Sequence, residues 1–187
     1  MKRILISLML VGVLAGLVLF MGDTLLQDKT ESVLKAPGLE LQESEKSSVI
    51  NSADNMVESV EAFQRLLATY QGDVVYLDFW ASWCTPCRES FPWMNEMQAK
   101  YQGAGLRIIT VNLDVNRENA NQFLVKYPAT FDVFFDPKGQ VARHYDLPGM
   151  PSSMIFNRDG KLIERHVGFN KEKQKKYQLQ LEDLLNE

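Results

Sequence analysis

Trp80-Ala81-Ser82-Trp83-Cys84-Thr85-Pro86-Cys87 contains both cysteines of this 187-residue chain. The apolar run Val74–Trp80 leads into it and is typical of a buried strand, and the helical pattern of Arg88–Met97 follows it. A Cys-x-x-Cys motif where a strand passes into a helix favours a reactive thiolate, because the free N–H groups of the first helical turn stabilise negative charge. The stretch therefore predicts thiol–disulfide exchange.

Their order along the helix predicts different roles for the two cysteines. Cys84, at the helix start, is the expected nucleophile, and Cys87, one turn further in, is the expected resolving thiol. Pro86 suits the first turn, where its missing N–H is not needed. The alternative is half of a zinc site, for which only His144 and His166 could add ligands beyond carboxylates, and neither has a paired spacing. We expect no metal, and no cofactor besides the Cys84–Cys87 redox pair.

Asp78 is the one carboxylate inside the apolar run Val74–Trp80. Burial should disfavour its charged form and raise its pKa. Its position, six residues before Cys84, places it under the active-site helix near Cys87. We therefore interpret it as the proton acceptor and donor for the Cys87 thiol. The alternative is a strand-end carboxylate that reaches solvent or caps a backbone group.

The segment Gly149-Met150-Pro151-Ser152 comes directly before a predicted strand. Proline there cannot donate a hydrogen bond to a sheet, and an X-Pro bond in this position is compatible with the cis form. A cis Met150–Pro151 bond would leave the Met150 backbone available for strand-like pairing with an extended substrate.

Composition excludes several other classes of function. A formal charge of −4 and a pI near 5.3 argue against nucleic acid as a partner, because phosphate binding needs clustered Lys and Arg. Two cysteines are too few for a disulfide-stapled scaffold. The content of 45% hydrophobic and 24% charged residues is typical of a globular protein.

The N-terminus predicts a membrane anchor. Residues 4–21 carry no charge, follow Lys2 and Arg3, and end without a small-residue cleavage site. We expect residues 1–3 in the cytoplasm and 4–21 across the bacterial inner membrane in a single pass. A cleaved signal peptide is the main alternative, and a buried core helix is disfavoured because the run has no polar face.

The remaining chain divides into a polar linker over residues 22–52 and a folded domain over 53–187, which would face the periplasm or the cell exterior. Strands alternate with helices and are followed by a hairpin and a last helix, which indicates an α/β sandwich with a mixed sheet. The predicted strands are 74–80, 106–113, 132–135, 152–156 and 161–167. The predicted helices begin near 56 and at 84, 118, 140 and 171, with a kink at Pro92.

The stretch from Asp78 to Cys87, Pro92 five residues beyond it, and Met150-Pro151 before the hairpin resemble thioredoxin over about residues 53–187. The anchor and the segment between Phe131 and Tyr145 resemble the TlpA/ResA-like branch of tethered extracytoplasmic thioredoxins. This resemblance implies a three-layer α/β/α sandwich, a cis Pro151 facing the cysteines, and Trp83 beside them. It also implies a protein-disulfide reductase that is recharged by a transmembrane thiol reductase, and some members of the branch reduce apocytochrome c.

Three positions depart from the pattern of that branch or of cytosolic thioredoxin. Asp78 stands where the tethered branch commonly has Asn, and Ser90 stands where ResA-type proteins have Glu, with Glu89 one place off. Thr110 occupies the place of a Lys that cytosolic thioredoxins usually add near the buried Asp. Without that cation, Asp78 should be harder to ionise.

The Thr-Pro dipeptide between the cysteines favours a reductase over an oxidase or isomerase, because strong oxidants carry a residue such as His there, which stabilises the thiolate. An alternative from another class is a copper-binding or copper-delivery module that uses Cys84, Cys87 and Met150, since soft sulfur ligands suit Cu(I).

Overall fold

The computed structural model describes residues 57–187. The predicted anchor at 4–21 and linker at 22–52 lie outside these residues. Within 57–187, no helix combines the length and the apolar character needed to cross a membrane. The elements in chain order are α1 (57–68), β1 (Val74–Trp80), α2 (Thr85–Tyr101), a 3-10 turn (Gln102–Ala104), β2 (Leu106–Asn112), α3 (Arg117–Lys126), β3 (Asp132–Phe135), α4 (Gln140–His144), β4 (Ser152–Phe156), β5 (Leu162–Val167) and α5 (Lys171–Leu185).

The five strands of the described region form one mixed sheet in the order β3-β2-β1-β4-β5. Strands β1, β2 and β3 are parallel, whereas β4 runs antiparallel to β1 and β5 antiparallel to β4. All seven residues of the central strand β1 are buried. This explains its continuous apolar run, because a strand covered on both faces has no solvent side.

Helices cover both faces of the sheet and make three layers. On one face, alternate β1 residues such as Leu77 and Phe79 pack with Phe63 of α1 and Val141 of α4. On the other face, Tyr76 and Trp80 pack with buried residues of the remaining helices, among them Cys87, Phe91, Phe123, Tyr177 and Leu181. The predicted thioredoxin-like α/β fold with a central mixed sheet is confirmed.

Strands β1, β3 and β4 and helix α5 have the predicted bounds. The other elements differ by one or two residues at an end, which is the usual spread for fraying termini. Cys84 is the N-cap of α2 rather than its first helical residue, and the helix continues through Pro92. The hairpin closes at Asn157, whose side chain accepts hydrogen bonds from the backbone of Asp159 and Lys161.

Pairing across the sheet places four polar residues in one transverse row. Asp78 lies beside Thr110 of β2 and opposite Ser153 of β4, and Ser153 lies opposite His166 of β5. All four residues are buried. We call them the polar row, and it lies on the sheet face that α2 and α5 cover, because Tyr76 and Trp80 flank Asp78 on that face.

Candidate active site

The two cysteines form a disulfide at the N-terminus of α2, with their Cα atoms 5.3 Å apart. Cys84 has extended backbone angles as the N-cap, and Pro86 lies in the first turn. Cys87 is fully buried, whereas Cys84 retains 4% exposure. Both sulfurs are therefore buried in this disulfide form, and Cys84 is the one nearer the surface.

A buried carboxylate that the sequence analysis did not single out holds the loop before Cys84. Asp114 accepts hydrogen bonds from the Ser82 N–H at 2.9 Å and from the Ser82 hydroxyl at 2.7 Å. The Asn112 side-chain amide donates to the same carboxylate at 2.7 Å. Asn112 and Asp114 are polar residues at the end of the apolar strand β2, and this pattern could have indicated the contact from the sequence. The carboxyl ends of parallel strands meet at one edge of the sheet, so polar residues there lie near the end of β1.

Asp78 is 2% exposed and lies in the middle of β1, so it is neither a strand-end carboxylate nor a cap. Its Oδ2 has no hydrogen-bond partner among the described residues. Burial raises the pKa of Asp78 well above its usual value. The burial of Asp78 is as expected, and burial shifts its pKa in the expected direction.

The groups facing Asp78 are polar but carry no positive charge that stabilises it. The Thr110 hydroxyl accepts a hydrogen bond from Trp80 Nε1 at 3.1 Å. Burial is the main cause that raises the pKa of both Tyr76 and Tyr177, and the nearby Asp78 charge adds to it. Burial is likewise the cause of the pKa shift at Asp78, and no Lys or Arg in the described region offsets it.

The Met150–Pro151 bond is cis, as the resemblance implied. The register places Ser152 opposite Phe79, so Pro151 comes beside Trp80, at the end of β1 that leads to Cys84. Met150 is partly buried against the cluster that contains both cysteines. Among residues 57–187, neither the Met150 N–H nor its C=O makes a hydrogen bond, so both are available to an extended ligand.

Three further residues singled out from the sequence, Trp83, Ser90 and Glu89, lie within a few positions of the two cysteines along the chain. Trp83 is 65% exposed and comes directly before Cys84. Ser90 is buried and its hydroxyl donates to the Cys87 carbonyl at 3.0 Å. Glu89 is exposed.

Each histidine has a partner other than a cysteine. His144 Nε2 lies 3.4 Å from the Gln64 amide, and His166 Nε2 lies 2.8 Å from Gln180 Oε1. Within the part of the chain that the structure describes, no group of three or more His, Cys, Asp or Glu side chains could hold a metal ion.

A dithiol at a helix start, a cis proline beside it and a buried carboxylate under the same helix can accept and return two electrons by disulfide exchange. Fold and site thus define a thiol–disulfide oxidoreductase of the thioredoxin type. The Redoxin family model matches residues 61–181, and the chain belongs to that family.

Curated and solved relatives agree with this class. The chain is 29% identical over 166 residues to the thiol-disulfide oxidoreductase ResA of Bacillus thuringiensis subsp. konkukian, covering 89% of this chain and 86% of that protein. It is 31% identical over 125 residues to ResA of Bacillus anthracis, covering 66% of this chain and 72% of that one. A crystal structure assigned as the thiol:disulfide interchange protein DsbE of Chlorobium tepidum superposes with a TM-score of 0.63 at 50% identity, covering 64% of this chain and 84% of that one.

Proposed function

We propose that this enzyme reduces disulfides of extracytoplasmic proteins through the Cys84–Cys87 pair. The observation that carries the proposal is the pair itself, at the start of α2 with Asp78 buried beneath that helix. The family acts on disulfides, which defines the reaction class.

The first step is attack by Cys84 in the reduced enzyme. Its thiolate bonds to one sulfur of the substrate disulfide, and the substrate S–S bond breaks. The leaving substrate thiolate takes a proton from solvent. The N-cap position of Cys84 supports this assignment, because free N–H groups at a helix start stabilise the thiolate.

The second step releases the product. Asp78 takes the proton of the Cys87 thiol, and the Cys87 thiolate attacks Cys84, which breaks the mixed disulfide. The substrate leaves with two electrons more than it brought, and the enzyme is left with the Cys84–Cys87 disulfide that the structure contains. A carboxyl whose pKa burial has raised is suited to exchange a proton with a thiol.

The substrate segment would lie along Met150–Pro151. The unpaired N–H and C=O of Met150 support pairing with an extended chain next to the disulfide. The exposed Trp83 indole would cover the other flank of that segment. Trp83, Pro86, Met150 and Pro151 thus support the reaction without taking part in bond exchange.

The reducing direction is supported by the residues between the cysteines. Thr85 and Pro86 carry no ionisable group and cannot provide the charge that stabilises a thiolate in strong oxidants.

In the proposal, residues 4–21 anchor the enzyme in the inner membrane, and residues 53–187 face the periplasm or cell exterior. A transmembrane thiol reductase restores the dithiol, and apocytochrome c is one candidate substrate, as the ResA-like resemblance implies.

The test is a substrate trap. Replacing Cys87 with Ser in the full-length protein should leave substrates attached to Cys84 as mixed disulfides, which mass spectrometry of membrane fractions would identify. A matched Cys84→Ser variant should trap nothing. Adducts on the Cys84→Ser variant alone would reverse the assigned order of attack, and cytoplasmic adducts would contradict the proposed location.

A redox titration against glutathione tests the direction. A reductase should have a potential near that of thioredoxin, about −270 mV, whereas the oxidant DsbA is near −120 mV. A measured value close to that of DsbA would contradict the reductase assignment and leave the oxidoreductase class intact.

A further inference from the structure

The surroundings of Asp78 in the polar row disfavour the charged form that its proposed role as base requires. Asp78 has to be ionised before it can accept the Cys87 proton, yet no cation lies beside it in the described region. An isolated carboxylate in such a place is costly unless hydrogen bonds to its charged form offset the loss of water. The neighbours that could supply these bonds are the hydroxyl groups of Thr110, Ser153, Tyr76 and Tyr177.

Two of these hydroxyl groups are occupied elsewhere. Thr110 accepts from Trp80 Nε1 and lies 3.4 Å from the Asp132 carbonyl, which accepts its proton. The Tyr177 hydroxyl donates to the Gly168 carbonyl at 3.0 Å. Each of these hydroxyl groups already donates to a backbone carbonyl, so turning it to Asp78 would break an existing hydrogen bond.

Ser153 differs because its partner, the His166 ring, can act either as acceptor or as donor in their hydrogen bond. The Tyr76 hydroxyl donates to Ser153 Oγ at 2.9 Å, and Ser153 Oγ lies 3.4 Å from His166 Nδ1. Gln180 Oε1 lies 2.8 Å from the other ring nitrogen and can only accept, so Nε2 carries the proton. Burial lowers the pKa of His166, so the neutral ring has Nδ1 as acceptor of the Ser153 proton.

The neutral His166 ring can reverse the direction of its hydrogen bonds to Ser153 and Gln180 without a change in total charge. If the proton moves from Nε2 to Nδ1, His166 becomes the donor to Ser153 Oγ, and the Gln180 amide can turn its NH₂ group to Nε2. The Ser153 proton is then free to point across the strand pair to Asp78, its direct register partner. Side chains in such a pair have Cβ atoms about 4.5–5.5 Å apart, within reach of one rotamer change.

We propose that Ser153, held by His166, donates the hydrogen bond that stabilises the Asp78 carboxylate while Cys87 is deprotonated, in the place where a cation would otherwise lie. The inference rests on the proposed role of Asp78 as base. Ser153 and His166 are positioning residues, since neither touches the reacting sulfurs. The charged and titratable groups around the row are Tyr76 from β1, Glu164 from β5, the Cys84–Cys87 pair from α2, and Lys176 and Tyr177 from α5.

The test is the pH profile of the resolving step, measured by rapid mixing of the reduced full-length enzyme with a disulfide peptide. The wild-type rate should rise with pH to a midpoint set by Asp78, and Asp78→Asn should abolish that midpoint. Ser153→Ala should move it upward by about one pH unit, which is a tenfold change in the ionisation equilibrium. Thr110→Val is the matched control, because it removes a buried hydroxyl from the same row and should leave the midpoint unchanged.

An unmoved midpoint in Ser153→Ala, or an equal shift in Thr110→Val, would overturn the inference. Resolution at the wild-type rate in Asp78→Asn would instead contradict the role of Asp78, so the two failures are distinguishable.

A second measurement leaves both Ser153 and His166 unchanged. Ring ¹⁵N shifts of His166 in the reduced wild-type enzyme should change from the Nε2–H to the Nδ1–H tautomer across the Asp78 titration. In Asp78→Asn the ring should stay Nε2–H. One tautomer throughout the wild-type titration would overturn the inference.

Discussion

Ser82 and Asp114 are joined by two hydrogen bonds, one from the Ser82 backbone N–H at 2.9 Å and one from its hydroxyl at 2.7 Å. The carboxylate also receives the Asn112 amide, so the end of β2 fixes the loop that carries Cys84. The position of the nucleophile therefore depends on a residue that lies 32 positions beyond Ser82 along the chain.

Replacing Asp114 with Ala should destabilise the protein and slow exchange. Three donors lose a buried carboxylate acceptor, and the expected cost is about 3 kcal/mol in the free energy of unfolding. Ser82→Ala is the matched control, since it removes only one side-chain bond and should cost about 1 kcal/mol. Urea unfolding and insulin-disulfide reduction measure the two effects. Equal stability in Asp114→Ala and wild type would show that the loop is held by other contacts.

Replacing Asp78 with Asn should make the enzyme more stable and less active. Burial raises the pKa of Asp78, so the folded state keeps its proton to a higher pH than the unfolded state does. Wild-type stability should fall as pH rises from about 4, the unfolded value, through the folded pKa, and Asn removes this loss. The resolving step should slow about 100-fold or more, the usual contribution of a positioned base. The same pH dependence of unfolding in both proteins would contradict the prediction.

Replacing Trp83 with Ala should weaken the binding of protein substrates and leave stability and the reaction with small disulfides unchanged. The indole is 65% exposed beside Cys84, so its removal should change stability by no more than about 0.5 kcal/mol. We expect KM for a disulfide protein to rise roughly threefold to tenfold, since exposed aromatic side chains dominate many contact surfaces. The rate with a small disulfide reagent should not change. Leu179→Ala, which removes a 60% exposed side chain from α5, should have no effect on either substrate.

Replacing Arg158 with Ala should lower stability and leave turnover intact. Its guanidinium donates to the carbonyl groups of Gly72, Ala104 and Leu185, at 3.1–3.3 Å. Gly72 and Ala104 precede β1 and β2, at the end of the sheet opposite Cys84. Loss of these charge-assisted bonds should cost about 2 kcal/mol. The exposed Lys161→Ala is the control, and a fall in activity measured at full folding would contradict this separation of stability from function.

Most of the fold could be predicted because its elements are encoded locally. The uniformly apolar run of β1 and the helical spacing of α5 predicted both elements with the bounds that the structure has. The Cys-x-x-Cys motif predicted the reaction class, and the Redoxin match confirms the family. Asp78 could be identified because a carboxylate is conspicuous in an apolar strand. The residue roles remain predictions that the variants above will test.

The sequence by itself determined where the strands and helices lie, which residues form the dithiol, and which carboxyl is buried beneath it, since all three depend on neighbours within a few positions. Only the tertiary structure decided that Asp114 holds Ser82 and that Ser153 and His166 extend a polar row from Asp78. The paired residues are 32 positions apart for Ser82 and Asp114, 13 for Ser153 and His166, and 75 for Asp78 and Ser153. Strand order and register set such contacts, and a shift of one residue in register would turn Ser153 to the other face of the sheet.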